Sequence, residues 1–334
     1  MKSAEARRPE KARCLVFTAP GQVKLRTEIL RREPGQLRVD SKLMAVSHGT
    51  ELLAYRGRLP AGLDSDETLK SLQGPLSYPL KYGYSNVGLR EDGRRVFAFY
   101  PHQDRFYIDP DQTVCLPDGL KCEDAVFLAN METAVGIVHD LAPRLGERIL
   151  VVGQGVVGLL VSALLVRSGV GLVLAVERYE LRRRAAADLG CTVLDPENGD
   201  VRGRIFELTG GRGADAAVNA SGSAAGLQLA VDCLAFGAVL VEASWYGSRP
   251  VTVNLGTAFH RRRLIVKSSQ VSNLDPALTG RWDKPRRLDL ALDLLQQMRP
   301  GRFVSQRFKL SEGGKAFALL DKAPENVIQL VLEP

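Results

Sequence analysis

Three groups of residues in this chain have the types and spacing that do chemistry. The first is Gly153-Gln154-Gly155-Val156-Val157-Gly158, a Gly-x-Gly-x-x-Gly run between two apolar stretches. Phosphate oxygens are best met by backbone N–H groups that can come close. In such a run the first glycine permits a tight turn, the second lets backbone approach a pyrophosphate, and the third lets a helix pack on a strand. The second group is Glu177, at the end of the next apolar run, where a carboxylate accepts hydrogen bonds from an adenosine ribose. The third is Ser47-His48-Gly49-Thr50-Glu51 together with Tyr84, which supplies hydroxyls, an imidazole, a carboxylate and a phenol. Those groups can donate, accept or relay a proton.

The elements around these residues are consistent with such roles. Ile149–Val152 reads as a buried strand, Leu159–Val166 as the helix after the turn, and Gly171–Val176 as a second strand ending in Glu177. The N-terminus of that helix carries free N–H groups and a partial positive charge, which favours phosphate. Further strands are expected at 191–194, 214–219, 237–242 and 264–268, with helices at 181–189, 201–208 and 224–234 between them. Strands alternating with helices imply an α/β, doubly wound parallel sheet whose ligand site lies beyond the carboxyl ends of the strands. Ala220, Ser221 and Ser244 fall at such ends, with Asn219 and Trp245 beside them.

The first 125 or so residues have another texture. Short alternating runs at 12–30, 36–46, 84–88, 95–100, 106–109 and 113–117 read as strands of a mainly β unit. Ser47–Gly57 reads as a short helix, 58–80 as a loop rich in Gly, Pro, Ser and Asp, and 124–140 as one helix. After an amphipathic helix at 288–298, a strand–helix–strand at 304–332 suggests that the C-terminus rejoins the first unit. The expected division is 1–130, 131–299 and 300–334.

With 334 residues, 45% hydrophobic and 25% charged, the chain can build two cores. Its net charge of +7 includes the clusters Arg7-Arg8, Arg31-Arg32, Arg182–Arg184, Arg261–Arg263 and Arg286-Arg287. These read as solvated surface or as attraction for an anionic cofactor or acidic substrate. No recognition module accompanies them, so nucleic acid is not expected as a partner. The five cysteines show no CxxC spacing, which fits a reduced, cytoplasmic compartment. Met1–Glu10 reads as a floppy tail rather than a secretory signal, and no membrane span is expected.

Arg144–Gly158, Thr209–Gly222 and Gly237–Gly247 resemble the cofactor-domain signatures of the medium-chain dehydrogenase/reductase, or alcohol dehydrogenase-like, superfamily. The resemblance covers most of the chain. It implies a Rossmann domain, a mainly β, GroES-like catalytic domain, a small-molecule substrate, NAD or NADP with NAD favoured by Glu177, and a homodimer paired through the apolar edge strand at 264–266. Arg178 and Arg182 could instead clamp a phosphate.

The catalytic half departs from the zinc enzymes of that superfamily. They carry Cys-Gly-Thr-Asp where this chain has His48-Gly49-Thr50-Glu51, and Gly-His-Glu where it has Gly83-Tyr84-Ser85. Their structural zinc lobe has four closely spaced cysteines, absent here. His48 and Glu132 remain as ligand candidates, with His102 as a substitute. Zinc needs at least three protein ligands, so none is expected. The segments Ser47-His-Gly-Thr-Glu51, Tyr78-Pro-Leu80 and Gly83–Gly88 most resemble the bacteriochlorophyllide dehydrogenase branch.

The resemblance places His48, Thr50 and Tyr84 beside the nicotinamide. His48 then serves as acid or base near pH 7, Thr50 as proton relay, Tyr84 as phenol donor, and Glu51 as a residue that orients His48 or a backbone turn. Each also has a plainer reading as a packed or hydrogen-bonded core residue. Tyr55, Tyr82, Tyr84, Phe99, Trp245 and Trp282 could line an aromatic pocket or simply fill the core. Arg286 and Arg287 could meet an acidic group or solvent. The expected chemistry is hydride transfer on a carbonyl/alcohol pair. The alternatives are C=C reduction of the quinone or enoyl type, and a nucleotide-binding redox sensor without catalysis.

Overall fold

The computed structural model describes residues 10–63, 70–72 and 74–334. The N-terminal tail with Arg7-Arg8 and part of the 58–80 loop lie outside the described residues. Among these residues no helix is long and apolar enough to cross a membrane.

The chain opens with an antiparallel hairpin of β1 (Lys11–Ala19) and β2 (Gln22–Ile29), turned at Pro20-Gly21 where Gly21 takes φ +73°. The long strand β3 (Leu37–Val46) runs into the short helix α1 (Thr50–Tyr55). There follow β4 (Asn86–Arg90), β5 (Arg95–Ala98), β6 (Arg105–Ile108) and β7 (Thr113–Cys115). The single helix expected over 124–140 is broken into α2 (Cys122–Ala125) and α3 (Leu128–Leu141). At the break Val126 and Phe127 are fully buried, and the Asp124 carboxylate is drawn aside to accept from the Gly301 N–H at 2.7 Å.

The nucleotide half comprises β8 (Arg148–Val152), α4 (Val156–Arg167), β9 (Leu172–Val176), α5 (Glu180–Asp188), β10 (Thr192–Leu194), α6 (Val201–Leu208), β11 (Ala214–Asn219), α7 (Ala224–Cys233), β12 (Leu234–Glu242), α8 (Ala258–Arg261) and β13 (Ile265–Ser268). Its strands are all parallel, in the order β10-β9-β8-β11-β12-β13. This order reverses direction between β8 and β11, and a ligand crevice opens at such a reversal. The four residues Ile149–Val152 are buried on both faces, and α4 is buried almost all round. That is why both read as uninterrupted apolar runs rather than alternating ones.

Helix α9 (Lys284–Met298) starts earlier than its apolar stripe suggests, because the Asp283 side chain caps it by accepting from the Arg286 N–H at 2.8 Å. The chain ends with β14 (Val304–Lys309), α10 (Gly313–Lys322) and β15 (Gln329–Glu333). β15 pairs antiparallel with β3, Leu330 opposite Val46, within a seven-stranded sheet ordered β14-β15-β3-β4-β5-β7. The C-terminus therefore rejoins the first sheet. One core runs through both halves, joining Leu43, Val87 and Phe97 to Ile149, Val151 and Leu160.

Candidate active site and dinucleotide cradle

The Gly153–Gly158 turn leaves β8 at the reversal of strand order. Gly153 takes φ +90°, and a Cβ there would lie 2.7 Å from the Ser221 backbone. At Gly158 a Cβ would stand 1.9 Å from the Gly153 carbonyl oxygen, so helix and turn close on each other only through a bare backbone. Gly155 differs. Nothing stands closer to its missing Cβ than Arg182 Nη1, at 4.0 Å. The first glycine serves the turn, the third the packing, and the second leaves an open face at the head of a 12-residue helix.

Glu177 is buried and holds this turn from below. Its Oε2 accepts from the Gln154 N–H at 2.7 Å and its Oε1 from the Tyr179 N–H at 2.9 Å. The Gln154 side chain points away from the open face: it donates to the Val151 carbonyl and accepts from the Ser162 hydroxyl at 3.0 Å. The Gln154 side chain is thus spent inside the core, while Val156 and Val157 begin the helix. Ala220 donates to the Val152 carbonyl at 2.8 Å and sets the opposite wall of the turn with Ser221.

The arginines after Glu177 are not equivalent. Arg178 is exposed and lies over the Tyr179 ring. Arg183 is occupied by the Glu177 carbonyl, Glu180 and Asp195. Arg182 donates its Nε to the Val327 carbonyl and its Nη2 to the Pro324 carbonyl, both at 3.0 Å. It thereby ties α5 to the segment that leads into β15.

At the ends of β11 and β12 sits a polar cluster. The Asn219 amide donates to Glu242 Oε2 at 2.7 Å and to the Tyr246 hydroxyl at 3.0 Å, and accepts from the Ser221 hydroxyl at 2.7 Å. The Ser244 N–H donates to Glu242 Oε1, and its hydroxyl accepts from the Gly222 N–H. Burial and the neighbouring Glu242 push the Tyr246 phenol up to about 12. Sequence reasoning found Asn219, Ser221 and Ser244 but missed Glu242 and Tyr246. A signal was present, since β12 ends in a carboxylate as the 171–176 run does.

In the antiparallel half, α1 gathers the proton-handling groups. The Tyr84 hydroxyl meets the side-chain hydroxyls of Ser47 and Thr50. Burial and the nearby Glu51 charge push its phenol up to about 12, against the pull of those two hydrogen bonds. Glu51 is fully buried, accepts from the Ser47 N–H at 2.9 Å, and pairs at 2.7 Å with Nε2 of the equally buried His102. Glu51 therefore fixes the backbone turn, and the imidazole it orients is His102, not His48. Gly83 makes room for that ring: a Cβ would lie 2.8 Å from it.

His48 stands apart from this cluster. Its Nε2 is buried without a hydrogen-bond partner. Burial and the Arg182 charge push its pKa down to about 3. The sequence points to an imidazole that titrates near pH 7; in the fold burial and Arg182 push it well below that.

Other expectations are corrected by packing. Glu132 is no ligand for a site near Tyr84, because its carboxylate is paired with Arg287 at 2.8 Å with both side chains 2% exposed. Arg287 meets that acid rather than solvent, while Arg286 lies over the Trp282 ring. Tyr55 stacks on Phe317, Phe99 packs on Phe97 and Trp282 on His139. Tyr84 packs edge-on against Tyr82 and is half-buried, as Phe99 and Trp282 are, while Trp245 is 42% exposed.

Among the described residues no three His, Cys, Asp or Glu side chains come together as ligands. His102 and Glu51 are committed to each other, and the Arg182 charge acts on His48. A nicotinamide dinucleotide does fit: the Gly155 face is open, the helix head presents unpaired N–H groups, and Glu177 lies at the end of β9.

Comparison with known proteins agrees with this geometry. Residues 156–283 match the family of zinc-binding dehydrogenases. D-guloside 3-dehydrogenase of Escherichia coli is 31% identical over 185 residues, 54% of this chain and 52% of that protein. The chain thus matches about half the length of that relative. NADP-dependent isopropanol dehydrogenase of Thermoanaerobacter brockii is 28% identical over 257 residues, 75% of this chain and 68% of that one. The crystal structure of 2R,3R-butanediol dehydrogenase from Bacillus subtilis superposes with a TM-score of 0.78 at 19% identity, covering 97% of this chain and 99% of that chain. The last likeness shows the shared two-domain fold.

Proposed function

We propose that this chain is a member of the zinc-binding dehydrogenase family that its residues 156–283 match, and that it is an NAD(P)(H)-dependent oxidoreductase that acts without zinc on a carbonyl/alcohol pair. The observation that carries the reading is the pairing of an open Gly155 face with the buried Glu177 carboxylate that braces its turn. Gly155, Val156, Val157 and Gly158 hold the diphosphate through backbone, while Gly153 and Gln154 shape the turn, their N–H groups donated to the Val176 carbonyl and to Glu177. Glu177 accepts from the adenosine ribose. Its charge repels a 2′-phosphate, and with Arg183 engaged by Glu180 and Asp195 this favours NAD(H). Ser221 and Ser244, held by Asn219 and Glu242, border the far end of the cofactor site.

When bound, the nicotinamide supplies or accepts hydride. Tyr84 handles the proton. With a phenol pKa near 12 it is neutral at pH 7 and donates a hydrogen bond to the reacting oxygen. As charge grows on that oxygen, the Tyr84 proton moves toward it, and the Thr50 and Ser47 hydroxyls stabilise the phenolate that is left. Glu51 and His102 keep Ser47 in place. The chain acts as a soluble cytoplasmic homodimer, with Ile265 and Val266 of β13, 55% and 44% exposed, as the pairing edge.

Calorimetric titration with NADH and NADPH tests the reading, followed by reduction of small ketones and aldehydes with C4-deuterated NADH. Micromolar binding and deuterium on the carbinol carbon are expected. No heat with either nucleotide would refute it.

A further inference from the structure

Resting on the dinucleotide reading above, we infer that His48 is a ligand of the cofactor's diphosphate, reaching from the antiparallel half across the cleft to join Arg182 at the Gly155 turn. It is then not part of the proton relay.

The position of His48 follows from strand register. β15 pairs with β3 so that Leu330 lies opposite Val46. Two residues beyond Val46 is His48, and two before Leu330 is Ile328, adjacent to Val327. The Val327 carbonyl is the one that takes Arg182 Nε at 3.0 Å. Arg182 thus reaches the entry to β15 from the nucleotide half, and its charge acts on His48, which follows β3 on the other side.

Both side chains bring an unused donor there. Arg182 spends Nε and Nη2 on carbonyls, and its remaining nitrogen, Nη1, is the atom nearest the open Gly155 face at 4.0 Å. His48 Nε2 is buried and has no partner. A buried polar atom left unpaired costs free energy, so one that persists signals a missing partner. A helix N-terminus and a cation face one bare glycine, and an unpartnered imidazole nitrogen lies within the field of that cation; together they call for an anion. With its charge suppressed by burial and by Arg182, the imidazole presents Nε2–H as a neutral donor at pH 7. The two phosphates can satisfy all three groups, and a ligand bound this way bridges the two halves.

The test is calorimetric titration of wild type, His48→Ala and His48→Gln with NAD⁺ and with ADP-ribose, and with adenosine by competition against ADP-ribose. Wild type should bind all three. His48→Ala should weaken NAD⁺ and ADP-ribose by about 10- to 100-fold, the range for one hydrogen bond to a charged acceptor, and leave adenosine within about twofold. His48→Gln, whose amide N–H can replace Nε2–H, should recover most of the loss. Unchanged ADP-ribose affinity in His48→Ala would overturn the inference, as would an equal loss for adenosine. Failure of wild type to bind NAD⁺ or ADP-ribose is a different result and would refute the dinucleotide reading itself.

Discussion

Removing Arg287 while leaving Glu132 in place is a severe test of how the nucleotide half is held together. The two side chains are each 2% exposed, and Arg287 reaches Glu132 Oε1 with Nε at 3.2 Å and Nη2 at 2.8 Å. Arg287 also donates to the Val271 carbonyl, so it fixes the segment after β13 as well as packing α9 on α3. Arg287→Met fills similar volume but takes the guanidinium away from a buried carboxylate. Breaking a buried pair in this way costs about 3–5 kcal/mol, a large part of a total stability of about 5–15 kcal/mol. Replacing both partners with apolar residues, Glu132→Leu with Arg287→Met, removes the stranded charge and should return most of that loss. Urea denaturation of the two single variants, the double variant and wild type measures the cycle. An Arg287→Met protein within about 0.5 kcal/mol of wild type would refute the account, because it would mean that Glu132 reaches solvent without its partner.

Three further outcomes follow from the same geometry. His48 falls from 6.5 to about 3 on folding, so the folded state binds fewer protons than the unfolded chain at mildly acid pH. Its contribution is complete above pH 6.5 and is lost as pH falls toward 3, at up to about 1.4 kcal/mol per unit; melts from pH 7 to 5 should show this slope reduced in His48→Gln. Gly158→Ala places a methyl 1.9 Å from the Gly153 carbonyl oxygen, and should cost about 1–3 kcal/mol in chemical denaturation and abolish measurable NADH binding. Glu177→Gln removes the charge that opposes a 2′-phosphate, and should shift the NADH-over-NADPH affinity ratio by about tenfold in calorimetry toward NADPH.

Much of the fold was legible because its signals are local. The apolar runs at 149–152 and 171–176 read as buried strands, joined through the glycine turn and the apolar helix that follows it. The return of the C-terminus was legible from texture alone. What the sequence hid are contacts between residues far apart in the chain. Glu51 chose His102 over His48 because β3 and the segment after β5 converge beneath Gly83. Arg182 looked like a phosphate clamp beside Glu177, yet two of its nitrogens went to carbonyls 142 and 145 residues away. Glu132 read as a ligand candidate because its partner, Arg287, lies 155 residues further on. Gln154 sits within the glycine motif, but its side chain is claimed by Ser162 inside the core.

The most direct test of the central claim is a crystal structure of the protein with NADH. The account predicts the diphosphate on the Gly155 face within hydrogen-bonding reach of Arg182 Nη1 and His48 Nε2, the adenosine ribose on Glu177, and the Tyr84 hydroxyl facing the nicotinamide, with no metal between them. A dinucleotide seated away from the Gly153–Gly158 turn, or a zinc ion held by His48 or His102 beside the nicotinamide, would contradict it.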